Sequence, residues 1–273
     1  SFENSLKKLK ERYMSKTYKT YTMELAGREL RVDIGRVAAQ ANGAAFMHYG
    51  DTTVLSTITA SGSPREGIDF FPLSVEYEEK MYAAGKMPGG FNKREGKASE
   101  NAVLTSRVID RPMRPLFPSD YRNDVTISNL VLSVDPSCSP ELTAMLGSAI
   151  AAAISDIPFD GPCASTQMGL IDGELIVNPN DAQMSVSDLK LTVASTKEKV
   201  VMIEAGANEV PDETMIDAIY QADAINKKII ALIEEMVADI GKEKHSYDSF
   251  AIAPELVEAM KEVVSPQEME EAV

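Results

Sequence analysis

Histidine and cysteine are scarce in this chain: His48, His245, Cys138 and Cys163 are the only ones in 273 residues. So few ligands argue against a zinc site of the His and Cys type. The two cysteines lie far apart in sequence and read as free thiols of a reducing compartment, not as a disulfide framework. With two histidines and no local signature, no Ser-His-Asp arrangement is readable. The G-x-x-x-x-G-K-[ST] loop is missing, which excludes a P-loop nucleotide hydrolase. No run of about 18 apolar residues occurs, so no membrane-spanning helix is predicted. The N-terminus is charged and lacks an apolar segment, so no signal peptide is predicted and a cytoplasmic protein is expected. Arginine is missing from residues 200–273, where 17 acids face five lysines and leave about −12 of the chain's −15. That segment is unsuited to nucleic acid and reads as a solvated helical face.

What the chain does have is a basic island. Between residues 86 and 122 stand eight cations (Lys86, Lys93, Arg94, Lys97, Arg107, Arg111, Arg114 and Arg122) against four acids, a net +4. A local reversal of sign in an acidic chain marks where an anion binds. Gly85, Gly89, Gly90 and Gly96 allow backbone to approach a ligand or to take positive φ. Phe91 beside Lys93, Arg94 and Lys97 suits a single nucleic-acid strand, with cations on phosphates and a ring on a base. Arg107, Arg111 and Arg114 would share one helical face, but Pro112 and Pro115 predict a break after about Asp110, so they align only roughly. Asp110 is placed to pair with one of them.

The length allows one large domain or two smaller ones, and 44% hydrophobic content is ample for a packed core. Residues 1–13 carry a helical stripe foreign to the rest of the chain and read as a vector-encoded leader before Met14. Alternation then predicts strands at 21–25, 30–34, 46–49, 52–59, 68–78 and 124–134, with a turn at Ala26-Gly27-Arg28. Residues 80–97 read as a long loop. Ser99 caps a predicted helix to about Ile109, and Ser139-Pro140-Glu141 starts a mostly apolar one to about Ser155. A hairpin is predicted over 163–177 around Asp172-Gly173, then strands at 189–194 and 200–204. Pro211 opens a helix to about Ile240, 242–253 reads as a linker, and Pro254 opens a last helix. The pattern predicts an α/β (α+β) fold with mixed sheets and packed helices. Gly50-Asp51 reads as a tight turn, Asp181 and Asp188 as solvent-facing, and the 14 methionines as core filling.

Three segments carry a resemblance: Gly85 to Gly96, Arg107 to Pro118, and Ala41-Asn-Gly with Tyr49-Gly-Asp-Thr-Thr-Val-Leu55. They resemble the bacterial polynucleotide phosphorylase family, and the resemblance runs from about Thr17 to the end. It implies a first ribonuclease PH-like core domain over 14–241, then the opening of an all-helical domain over 242–273, cut short. It implies a 3′-to-5′ phosphorolytic exoribonuclease in which inorganic phosphate releases nucleoside diphosphates with Mg²⁺. It also implies a homotrimeric ring threaded by single-stranded RNA, with the catalytic centre and its Mg²⁺ in a second core. No catalytic or metal residue is therefore expected in this core. The RNA-binding residues expected in it are Phe91, Lys93, Arg94, Lys97, Arg107, Arg111 and Arg114. The family's channel loop carries two aromatics and two arginines, whereas Asn92 and Lys93 stand here, which weakens stacking more than backbone grip.

The family's phosphate turn is matched by Ser137-Cys-Ser-Pro-Glu141, where proline lacks a donor and Glu141 repels phosphate. Its metal and leaving-group residues are approximated by Ser187 to Thr192, out of order. Both departures predict an RNA guide and ring scaffold. The alternatives are a self-sufficient ribonuclease of the single-core ribonuclease PH type, or an interaction scaffold without RNA binding.

Overall fold

Period-two alternation sets the first four strands: β1 (Lys19–Leu25), β2 (Arg28–Ile34), β3 (Gly43–Tyr49) and β4 (Thr52–Ala60). The structure is a computed structural model and describes residues 18–272. The leader predicted over residues 1–13 lies outside them. Ala26 and Gly27 take φ of 52° and 73°, the left-handed pair of a tight hairpin turn that matches strand twist. Next come β5 (Leu73–Glu79), a 3₁₀ turn (Met81–Ala84), α1 (Glu100–Met113), β6 (Val125–Ser133) and α2 (Pro140–Ile154). After these stand β7 (Ala164–Ile171), β8 (Glu174–Val177), α3 (Asp181–Ser185), β9 (Leu189–Ser195) and β10 (Val200–Ala207). The remaining helices are α4 (Asp212–Ile240), α5 (Pro254–Val263) and α6 (Pro266–Glu271).

Two sheets result, in the orders β1-β2-β3-β4-β6-β5 and β10-β9-β7-β8. Only the β5–β6 pair is parallel among the described strands, and α1 makes the crossover between them. Helix α2 lies between the sheets, against β3, β4 and β6 on one side and β7 on the other. Its start is the one predicted: Ser139 accepts the Leu142 N–H at 3.2 Å, with Pro140 at the first helical position. Every residue from Leu142 to Ile154 is buried. Gly147 makes that possible, because a Cβ there would overlap Ser56 Oγ and stand 2.8 Å from Met47 Cγ. Beside it, Ser56 and Ser148 donate to Asn129 Oδ1 at 2.6 and 2.9 Å, tying β4, β6 and α2 through a buried amide. Helix α4 covers the second sheet with Ala218, Ala222, Asn226, Ile229 and Ile233, a helical-period face on β7 and β9.

Several boundaries differ from expectation. Helix α1 does not stop near Ile109 but runs to Met113. Pro112 forgoes one backbone bond in the last turn, and the Arg114 N–H that caps the helix still reaches Asp110 O. Arg111 therefore sits on the helix, not beyond it. The fifth strand begins at Leu73, not Ile68. The short α3 was not foreseen, although Asn180 and Gln183 form a reciprocal capping box. The last helix divides at Val264, where Ser265 caps a second one.

Residues 242–253 have no regular element, as predicted, yet they are fastened to the core. Lys242 N–H donates to Ile154 O at 3.0 Å and His245 N–H to Asp156 O at 2.7 Å. Lys244 lays an exposed stem across the end of α2 and places its ammonium on the carbonyls of Ala152, Ala153 and Ser155 at 3.1, 3.1 and 2.7 Å. These are the orphan carbonyls of a helix C-terminus. Desolvation of the ammonium lowers its pKa to about 8, against the pull of Asp156.

Candidate nucleic-acid interface

The basic loop has a fixed base and a free tip. Gly85, at φ 65°, ends the 3₁₀ turn, and Glu95 reaches back to it. The Glu95 carboxylate accepts the Met81 N–H at 2.7 Å and Lys80 Nζ at 3.1 Å. Those contacts, the Met81 N–H first, hold its pKa below the usual carboxylate range. Lys80 also pairs with Glu78 on β5. Beyond this clamp the chain projects, and Phe91 is 102% exposed, its ring touching no packing surface. Lys86, Lys93, Arg94 and Lys97 are exposed, and none has an ion-pair partner among the described residues. The turn at the tip closes through Lys93 N–H to Gly90 O at 3.0 Å, with Lys93 itself at φ 51°. Of the four loop glycines only Gly85 takes positive φ, and Gly89, Gly90 and Gly96 leave open space where a Cβ would stand. A left-handed lysine stores roughly 1 kcal/mol of backbone strain.

The three arginines after the loop divide. Arg114 chelates Asp110 through Nε and Nη2 at 2.9 and 2.7 Å and donates to the carbonyls of Phe71 and Leu73 at 3.2 and 3.1 Å. It fastens the end of α1 to the chain entering β5. Arg111 meets Glu204 of β10 at 3.1 Å. Arg107 is exposed and has no ion-pair partner among the described residues. Shared helical spacing therefore does not make the three converge, because Arg111 and Arg114 are drawn to different neighbours and Arg107 to none among the described residues.

The turn at 135–141 is filled from within. Asp135 accepts the Ser137 hydroxyl at 2.6 Å, the Ser137 N–H at 2.8 Å and the Asp51 N–H at 3.3 Å. These bonds, the Ser137 hydroxyl first, hold its pKa below the usual carboxylate range. Arg28 adds a guanidinium, donating to Ser137 O and, at 2.5 Å, to Asn178 O. Donors of the kind that cradle a phosphate are here engaged by the protein's own carboxylate. Gly50-Asp51 is the tight turn expected, with Gly50 at φ 54°. Asp181 opens α3, and Asp188 accepts Asn208 Nδ2 at 3.5 Å. Among the described residues no three His, Cys, Asp or Glu side chains gather into a metal cage. Sequence reasoning missed Glu95 as the clamp, since nothing in its neighbourhood distinguishes it from the other acids.

Two layered sheets around a buried helix, with a helix-crossed parallel pair, define a ribonuclease PH-like fold. A model described as 3′ exoribonuclease family, domain 1, matches residues 26–158, and one described as domain 2 of the same family matches residues 161–224. Together they span well over half of the chain, which belongs to the 3′ exoribonuclease family. It is 74% identical to a polyribonucleotide nucleotidyltransferase of Lachnoclostridium phytofermentans over 94% of its own length, and 52% identical to one of Clostridioides difficile, also over 94%. It spans only 37% and 36% of those relatives' lengths. The crystal structure of rice (Oryza sativa) Rrp46 shares the fold with a TM-score of 0.60 at 16% identity, covering 78% of this chain and 96% of that one. No helix among the described residues is long and apolar enough to cross a membrane.

Proposed function

We propose that this chain is the RNA-guiding core of a phosphorolytic 3′-to-5′ exoribonuclease. Single-stranded RNA is held by Lys93, Arg94, Lys97 and Arg107, with Phe91 against a base, while Arg111 and Arg114 orient the helix that carries Arg107. The observation that carries this reading is a clamped loop whose cations have no ion-pair partners among the described residues. A cation unused by the fold keeps its full interaction for a phosphate. The self-filled turn at Asp135 to Glu141 supports a core that does not itself bind the attacking phosphate. Inorganic phosphate, Mg²⁺ and bond cleavage then belong to a second core of the longer protein, and this core helps build a homotrimeric ring in the cytoplasm. The buried, unlinked Cys138 and Cys163 suit a reducing compartment.

The test is single-stranded RNA binding by the purified chain at two salt concentrations, repeated with phosphate and Mg²⁺ and read for nucleoside diphosphate. Salt-sensitive binding without product is expected. Phosphate-dependent product above a contaminant control would make this core an enzyme by itself. No binding even at low salt would leave only a scaffold.

A further inference from the structure

A cleft of about 160 Å³ lies between α1, the start of α2 and the second sheet. Its floor is a rung across three strands, where Gln167 of β7 pairs in register with Thr192 of β9, and Thr192 with Glu204 of β10. Gln167 is 5% exposed and Thr192 6%, and neither side chain has a hydrogen-bond partner among the described residues. Their polar atoms are not sealed in the core but open onto the cleft, where a guest can meet them. Across the cleft stands Glu141, one oxygen of which accepts the Thr105 hydroxyl at 3.2 Å. Leu104, Val108 and Met145 make an apolar wall.

The chemistry of the lining selects the guest. Glu141 repels phosphate and Glu204 is already held by Arg111, so an uncharged group enters. An apolar wall with a few convergent polar groups suits a flat ring, and a cavity of roughly 150 Å³ is one that accepts a ring of benzene size. A glutamine amide can read the edge of a base through both its donor and its acceptor. At its rim, Lys190 is exposed and free of ion pairs among the described residues, placed for a flanking phosphate. We propose that this cleft is a base subsite: it takes the base of one unpaired nucleotide of bound RNA and prefers a base that carries an exocyclic amine. The free oxygen of Glu141 and the Gln167 carbonyl oxygen both call for N–H donors. Cytosine and adenine bring an amine with two N–H donors, one for each acceptor, whereas uracil brings a single N3–H between two carbonyls.

This rests on the reading that the core binds single-stranded RNA, and the test separates the two. Fluorescence anisotropy would compare oligo(C) with oligo(U) of equal length on the whole chain, on Gln167→Leu and on Glu141→Gln. The wild-type chain should favour oligo(C) by about tenfold, the worth of one good base contact. Each variant should bring the ratio near unity with a normal melting curve. Should Gln167→Leu fail to fold, Glu141→Gln, which keeps an acceptor for Thr105, still decides. Equal affinities in wild type, or a preference that survives in a folded variant, would overturn the subsite while leaving RNA guidance standing. A wild-type chain that binds neither strand would overturn both. A mass that doubles with concentration and is reset by Glu141→Gln would assign the cleft to a second copy of this chain instead.

Discussion

Replacing Lys93, Arg94 and Lys97 together by glutamine removes three charges that the fold does not use. None is ion-paired among the described residues and all three are exposed, so no partner is orphaned and the melting curve should not move. RNA binding should change in a calculable way. Each phosphate contact to a single strand contributes about 0.7 to the slope of log K against log salt, so three contribute about 2. Over a fourfold rise in salt, from about 50 to about 200 mM, wild-type affinity should then fall about 20-fold more than that of the triple variant. Anisotropy titrations of a labelled single strand across that range supply both slopes. A slope unchanged in the variant, with an unchanged melting curve, would refute the loop as the phosphate contact, whatever the affinity at one salt concentration.

Gly147→Ala drives a methyl into Ser56 Oγ and Met47, and overpacking of this kind costs about 1–3 kcal/mol. Urea denaturation should show the loss, and Ser56→Ala in the same chain should return part of it. Lys244 has a folded pKa of about 8 against an ordinary 10.5, so the folded state releases its proton first. Stability from this group is lowest below pH 8 and rises between 8 and 10.5. The melting temperature of wild type minus that of Lys244→Met should therefore increase over that window, and a flat difference would contradict the desolvated ammonium. Asp135→Ala frees the Ser137 and Asp51 donors beside Arg28. Inorganic phosphate should then raise the melting temperature of the variant and not that of the wild type, by the linkage of ligand binding to stability.

Much of the fold was legible because its signals are local. Met23 and Leu25 against Leu30 and Val32 give the first hairpin, Asp172-Gly173 the second, and Ser139-Pro140-Glu141 the start of the central helix. What escaped depends on groups distant in sequence. The parallel pairing of β5 with β6 is decided by the crossover through α1, not by the composition of either strand. Pro112 read as a helix breaker because the sequence does not say that it falls in the last turn, where one missing bond matters little. The floor of the base cleft exists only through the register of β7, β9 and β10, which places Gln167, Thr192 and Glu204 side by side. Of the candidate site, residue identity was readable but engagement was not. Nothing around Arg114 announces that the carbonyls of Phe71 and Leu73 lie at its end.

Engagement is what ranks the cations of the basic island. Arg114 uses its Nε, Nη1 and Nη2 donors on Asp110, Phe71 and Leu73, four bonds in all, so a phosphate can take it only by loosening the end of α1. Arg111 spends one nitrogen on Glu204, an exposed pair that contributes little to stability and leaves most of its donor fork able to turn outward. Arg107 and the loop cations are held by no ion pair among the described residues. The loop is nevertheless not adrift, because Glu95 fixes its base to Met81 and Lys80 while the tip turns at Lys93. A clamped base with a free tip reduces the entropy lost when a strand is gripped and leaves the charges available. Since Lys93 is a point charge and Phe91 a single ring, the grip this loop offers is electrostatic before it is base-specific. Discrimination between bases then has to come from elsewhere in the core, and the rung of Gln167 and Thr192 holds unpaired polar groups that open onto a cleft and can supply it.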